Sequence, residues 1–197
     1  MANLWQICGK TAPGLNRTLT QYNQVVAPCR ELFRKKTRDY GTAWRILRIP
    51  SLTDQVFIKA QRIRTLEEVG ESKVGEDIEG EFVGIFNYCM IALIQLELGE
   101  QGEMELGEDR AVELFDRQVD ITRDLMMKKN HDYGEAWRDM RISSCTDLIL
   151  MKLLRIKQIE NNKGVTLVSE GMESGYRDMA NYAAFALIKL GEQSDAK

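Results

Sequence analysis

Two cations set into an apolar helix are the first residues that demand a chemical partner. Across 148–156 the chain reads Leu148-Ile149-Leu150-Met151-Lys152-Leu153-Leu154-Arg155-Ile156, apolar on nearly every side, which implies burial on most faces. Lys152 and Arg155 stand three residues apart and share a face. Drawn into a core, each costs several kcal/mol unless a carboxylate or a ligand anion meets it. Lys59 and Arg62 form the same pair earlier in the chain. Two readings are open: internal salt bridges to acids of a neighbouring helix, or a phosphate-binding pair.

Acids and aromatics give the other candidates. Near the C-terminus, a helix turning by ~100° per residue places Glu170, Glu173, Asp178 and Asn181 on one broad side. The earlier chain keeps Glu76, Glu79 and Asn87, with Gly84 where Asp178 stands. Such an arrangement suits Mg2+ or Mn2+ held by carboxylate oxygens; a solvated acidic face has the same pattern. In Asp39-Tyr40-Gly41 and Asp132-Tyr133-Gly134, a glycine suited to positive φ stands beside aromatics, and Trp44 and Trp137 follow. Tyr40, Trp44, Tyr133 and Trp137 either lock the core and its turns or form a wall on which a base stacks, worth ~1–3 kcal/mol per base. Asp39 and Asp132 are expected to accept backbone N–H groups in the turns. His131, the only histidine, has no second histidine or triad set to work with.

All these residues come in pairs because the chain is an internal duplication. The segment from Lys36 to Arg45 returns as Lys129 to Arg138, 93 residues on. The same offset carries Arg48-Ile49 onto Arg141-Ile142, Lys59 onto Lys152 and Arg62 onto Arg155. One insertion later the offset is 94, and Glu76, Glu79 and Asn87-Tyr88 pair with Glu170, Glu173 and Asn181-Tyr182.

Each copy reads as three helices. The apolar stripe of Val112, Leu114, Phe115, Val119, Leu125 and Met126 predicts a helix over 109–130. Its first-copy counterpart runs to about 37, with Pro28 starting or kinking it. Ser51-x-x-Asp54 and Ser144-x-x-Asp147 resemble capping boxes and predict second helices starting near 53 and 146. Third helices are expected over 77–98 and 170–190, and Gly99, Glu100, Gln101 and Gly102 form the joint. The expected fold is all-α, with two tandem pseudo-symmetric three-helix repeats, 1–105 and 106–197, packed as one helical bundle.

Composition bounds what such a bundle does. The 197 residues carry a formal charge of -3 and a pI near 5.4, so no global field draws nucleic acid, and duplex DNA is not an expected partner. Cys8, Cys29, Cys89 and Cys145 show no C-x-x-C spacing, which gives neither a zinc set nor a disulfide framework. The expected setting is a reducing cytoplasm, with no membrane partner: the N-terminus lacks a basic region before an apolar run, and no later run is expected to approach the ~18 residues that span a bilayer.

The combination of Lys-x-x-Asp-Tyr-Gly before an aromatic, a Lys-x-x-Arg helix, and a Glu-initiated helix leading to Asp-x-x-Asn-Tyr resembles the nucleotide modification associated domain 1 family, present here as two copies. The second copy carries the pattern at Lys129, Asp132-Tyr133-Gly134, Lys152, Arg155, Glu170, Asp178 and Asn181-Tyr182. The first carries it at Lys36, Asp39-Tyr40-Gly41, Lys59, Arg62, Glu76 and Asn87-Tyr88. It departs from the family's pattern where an aspartate precedes the helix-two lysine, replaced here by Ile58 and Met151. A further helix-three acid is replaced by Gly80 and Ser174. The resemblance implies a bacterial or phage setting in modified-nucleotide metabolism and assigns no reaction. The helical layout is also similar to that of all-α nucleoside triphosphate pyrophosphatases, whose paired acidic signature is not intact here.

The expectation is therefore a nucleotide- or nucleobase-binding protein that hydrolyses or modifies its ligand with a divalent cation. Lys152, Arg155, Lys59 and Arg62 would hold phosphate, and Glu170, Glu173, Asp178, Glu76 and Glu79 the metal. Tyr133, Trp137, Tyr40 and Trp44 would stack on the base, on turns built by Asp39, Gly41, Asp132 and Gly134. A non-enzymatic helical interaction protein, with its charges neutralised internally and no cleft, is the competing expectation.

Overall fold

The computed structural model describes residues 13–70, 77–99, 102–165 and 171–195, without the side chains of 13–16 and 195. Within them the chain forms α1 (Pro13–Tyr40), α2 (Ile49–Val69), α3 (Ile78–Leu98), α4 (Glu108–Tyr133), α5 (Ile142–Asn161) and α6 (Met172–Asp195), with single 3-10 turns at Ala43–Ile46 and Ala136–Asp139. No strand occurs among the described residues, and the order helix, 3-10 turn, helix, helix comes twice. Cys8, Glu76, Glu100, Gln101 and Glu170 lie outside the described residues.

Several boundaries differ from the sequence expectation for identifiable reasons. The second helices begin at Ile49 and Ile142 rather than near 53 and 146, with Arg48 and Arg141 as extended N-cap residues and no side-chain cap bond. Pro50 lies in the first turn of α2, where a missing N–H costs nothing and a fixed φ favours the helix. Ser51 and Ser144 therefore fall inside their helices and are not capping residues. Helix α1 does not start at Pro28 but runs through it. Helices α1 and α4 extend through Tyr40 and Tyr133, so Asp39 and Asp132 are exposed last-turn residues. Among the described residues neither accepts a backbone N–H; Asp132 Oδ1 lies 3.2 Å from His131 Nδ1. The turns that follow rest on Gly41 and Gly134, at φ 61° and 60°, a conformation that strains any residue with a Cβ.

The repeats share one core, built by pairing like with like: α3 lies against α6, α2 against α5 and α1 against α4. Phe82, Phe86 and Met90 of α3 and Tyr176, Met179 and Ala183 of α6 are fully buried. The polar contacts are reciprocal. Thr53 of α2 donates to Glu160 of α5 at 2.5 Å, and its counterpart Thr146 of α5 donates to Glu67 of α2 at 3.3 Å. Reciprocity of this kind is the mark of an isologous two-fold interface, here built inside one chain. Helix α3 is, by length and composition, able to cross a bilayer, with mean hydropathy 1.4, contrary to the sequence expectation. Its apolar residues are what the pairing with α6 consumes: 67% of that window is buried.

Candidate functional site

Each repeat folds its retained residues around a cleft. In the first repeat, Lys36 and Tyr40 of α1, Trp44 of the 3-10 turn, Lys59 of α2 and Asn87 and Tyr88 of α3 line a cavity of about 510 Å3. In the second, the counterparts Lys129, Tyr133, Trp137, Lys152, Asn181 and Tyr182 line one of about 380 Å3. Both volumes fall within the ~300–1,000 Å3 of small-molecule sites. The first helix supplies a lysine and a tyrosine one turn apart on one face, the glycine turn brings the tryptophan back beneath them, and the third helix closes the side.

The asparagines anchor this frame. Asn87 Nδ2 donates to Cys29 O at 3.1 Å, and Asn181 Nδ2 donates to the equivalent Thr122 O at 3.2 Å. Asn181 Oδ1 also accepts from the Tyr22 hydroxyl at 3.0 Å. Among the described residues the buried Asn87 Oδ1 has no partner, because Phe115 stands where the repeat symmetry would put a second Tyr22. The Nε1 atoms of Trp44 and Trp137 are likewise buried and unpartnered among the described residues.

The electrostatics of the clefts differ. In the second, the buried Asp178 carboxylate receives Lys129 Nζ at 2.5 Å and Lys152 Nζ at 2.7 Å. In the first, Lys59 turns to the buried Glu81 at 3.1 Å, which also holds Arg62 Nη1 at 2.5 Å. Burial raises the pKa of the Tyr182 hydroxyl, and neighbouring Asp178 adds to the shift.

Of the expected phosphate residues, Lys59, Arg62 and Lys152 are thus engaged by protein carboxylates, the internal-salt-bridge alternative. Arg155 is exposed on α5 beside Gly171 and Gly175 and also has a partner. Of the aromatics, Tyr40 and Tyr133 are exposed and Trp44 is half-buried. Trp137 already carries Phe185 stacked at 4.3 Å and the Arg138 guanidinium at 4.4 Å. Among the metal candidates, Glu79 is exposed, Glu173 is exposed and 3.6 Å from Arg177, and Asp178 is neutralised by its two lysines. Among the described residues no three His, Cys, Asp or Glu side chains are placed to hold a metal ion.

Two features escaped sequence reasoning. Glu81 was legible at the 94-residue offset, where Glu81 and Gly84 oppose Gly175 and Asp178. Arg45, buried at 1% exposure, donates to the Gly99 and Glu103 carbonyls at 3.0 and 2.9 Å and to Gln95, and so fixes the joint between repeats. Burial lowers its pKa. Its type and spacing gave no signal, since the carbonyls it meets are backbone.

Residues 36–96 and 129–190 each match the family model described as nucleotide modification associated domain 1, and most of the residues lining each cleft fall within these two segments. No curated protein and no solved structure matches the chain.

Proposed function

The chain belongs to the nucleotide modification associated domain 1 family, and from that premise we propose that it binds a nucleotide in a cleft of the kind that each repeat builds. The observation that carries this is the repeated set of a lysine and tyrosine from the first helix, a tryptophan, a second lysine, and an asparagine and tyrosine from the third helix, all lining a cavity. Ammonium groups suit phosphate oxygens, and exposed tyrosines suit a purine or pyrimidine face. A purely structural bundle would use its charges internally and leave no such cavity; here the charges are largely used, and the cavities persist beside them. The described carboxylates do not fit a divalent-cation site, so the proposal assigns the anion to lysine.

The test is thermal unfolding of the full chain against a panel of nucleosides and nucleotides, with and without Mg2+. A ligand at 100 times its Kd adds ~2.7 kcal/mol to stability. A shifted midpoint with one or more nucleotides, independent of Mg2+, is the expected result; no shift across the panel would return the chain to the structural reading.

A further inference from the structure

We infer that the two clefts are unequal: the first takes the phosphate of a nucleotide at Lys36, while in the second the Asp178 carboxylate already fills the anion's place. The inference rests on the nucleotide reading above and says which cleft serves it.

The asymmetry comes from an exchange on the third helices. Helix α3 has Glu81 and Gly84 where α6 has Gly175 and Asp178, and residues three apart share a helix face. Each helix therefore carries one buried carboxylate on this face, in positions one turn apart. The lysine of the second helix follows the acid. Lys152 and Lys129 converge on Asp178, whereas Lys59 goes to Glu81 and its chain covers Gly84. A Cβ there would meet Lys59 Cε at 2.6 Å and Nζ at 3.0 Å. Lys36, the counterpart of Lys129, is left exposed on the cleft and without an ion pair among the described residues.

A carboxylate and a phosphate offer an ammonium group the same thing, anionic oxygens at ~2.7–2.9 Å. Asp178 is thus the internal equivalent of the ligand's phosphate. The aromatic walls agree. Trp137 is covered by Phe185 at 4.3 Å and 4°, whereas Trp44 is half-buried with Phe33 tilted at 6.3 Å and 47°, and Ile91 lies at the place of Phe185. The first cleft is also the larger.

Calorimetry on the full chain with nucleoside 5′-monophosphates, the matching nucleosides and inorganic phosphate tests this. The expected result is one site per chain, binding monophosphates more tightly than nucleosides. Affinity should fall at least tenfold in Lys36→Met and in Gly84→Asp, and less than twofold in Lys129→Met; Gly84→Ser, which adds bulk without charge, should lose less than Gly84→Asp. Two equal sites, nucleosides binding as tightly as monophosphates, or a loss in Lys129→Met that Lys36→Met does not show would overturn it. If no nucleotide binds, the functional reading fails, and lysine acetylation still decides the asymmetry. Protection of Lys36 but not Lys129 by inorganic phosphate upholds the anion site, and equal rates with no protection overturn it.

Discussion

A single missing hydroxyl separates the two asparagine anchors. Asn181 Oδ1 is satisfied by Tyr22 across the repeat boundary, and Asn87 Oδ1 is left buried without a donor among the described residues because Phe115 occupies the symmetric position. An unmade buried hydrogen bond costs about 1–3 kcal/mol, and a made one returns about 1. Phe115→Tyr is therefore expected to raise the unfolding midpoint by supplying the donor, and Tyr22→Phe to lower it by leaving Asn181 in the condition of Asn87. A Phe115→Tyr variant less stable than the parent would show that the ring, stacked on Phe33 at 4.5 Å, has no room for the oxygen. The cysteines belong to this scale too: burial pushes Cys29 up to about 12 and Cys145 up to about 11, so both thiols stay protonated and unreactive at neutral pH.

Between elements, the seam of α2 and α5 carries a pH signature. Burial raises the pKa of the Glu160 carboxyl, with the Thr53 hydrogen bond working against it. A group bound more tightly to its proton in the folded chain stabilises the fold at low pH, and that contribution is lost as pH rises through the raised value. Glu160→Gln keeps an oxygen for Thr53 and removes the charge. It should raise the unfolding midpoint at pH 7, with the gain vanishing near pH ~4; an equal gain at both would mean that charge is not the cause. The clamp of α1 on α4 has the opposite sign. Hydrogen bonds from Arg38 and then Arg34 hold Glu108 below its ordinary range, so that clamp weakens as pH falls. The helices themselves were legible in sequence through apolar periodicity and the duplication, which the pairing of α3 with α6 explains: each third helix is apolar because its twin covers it. Their second-helix starts were not, because Arg48 and Arg141, followed in α2 alone by Pro50, stand at the N-caps in place of the serine box. The cleft was half legible. Its residues could be named from what both copies retain, but the partner of each lysine depends on which of two positions one turn apart holds the acid.

For the molecule as a whole, the isologous pairing predicts how the halves behave apart. The second repeat alone, residues 106–197, would expose the buried face of α6, where Met179, Ala180 and Ala183 are fully covered. It should cover that face with a second copy of itself, giving a dimer whose unfolding midpoint rises with concentration. Sedimentation showing a folded, concentration-independent monomer would refute the shared core. The covalent joint between repeats has a further consequence. In a dimer of identical subunits every substitution is made twice, so an aspartate that fills one cleft fills both, and a glycine that empties one empties both. Fusing the halves into a single gene product releases them from that constraint. One pocket can retire from ligand duty and serve as a brace while its sibling remains open to solutes, and the exchange of Glu81 and Gly84 for Gly175 and Asp178 is a broken symmetry that a dimer of identical subunits cannot encode.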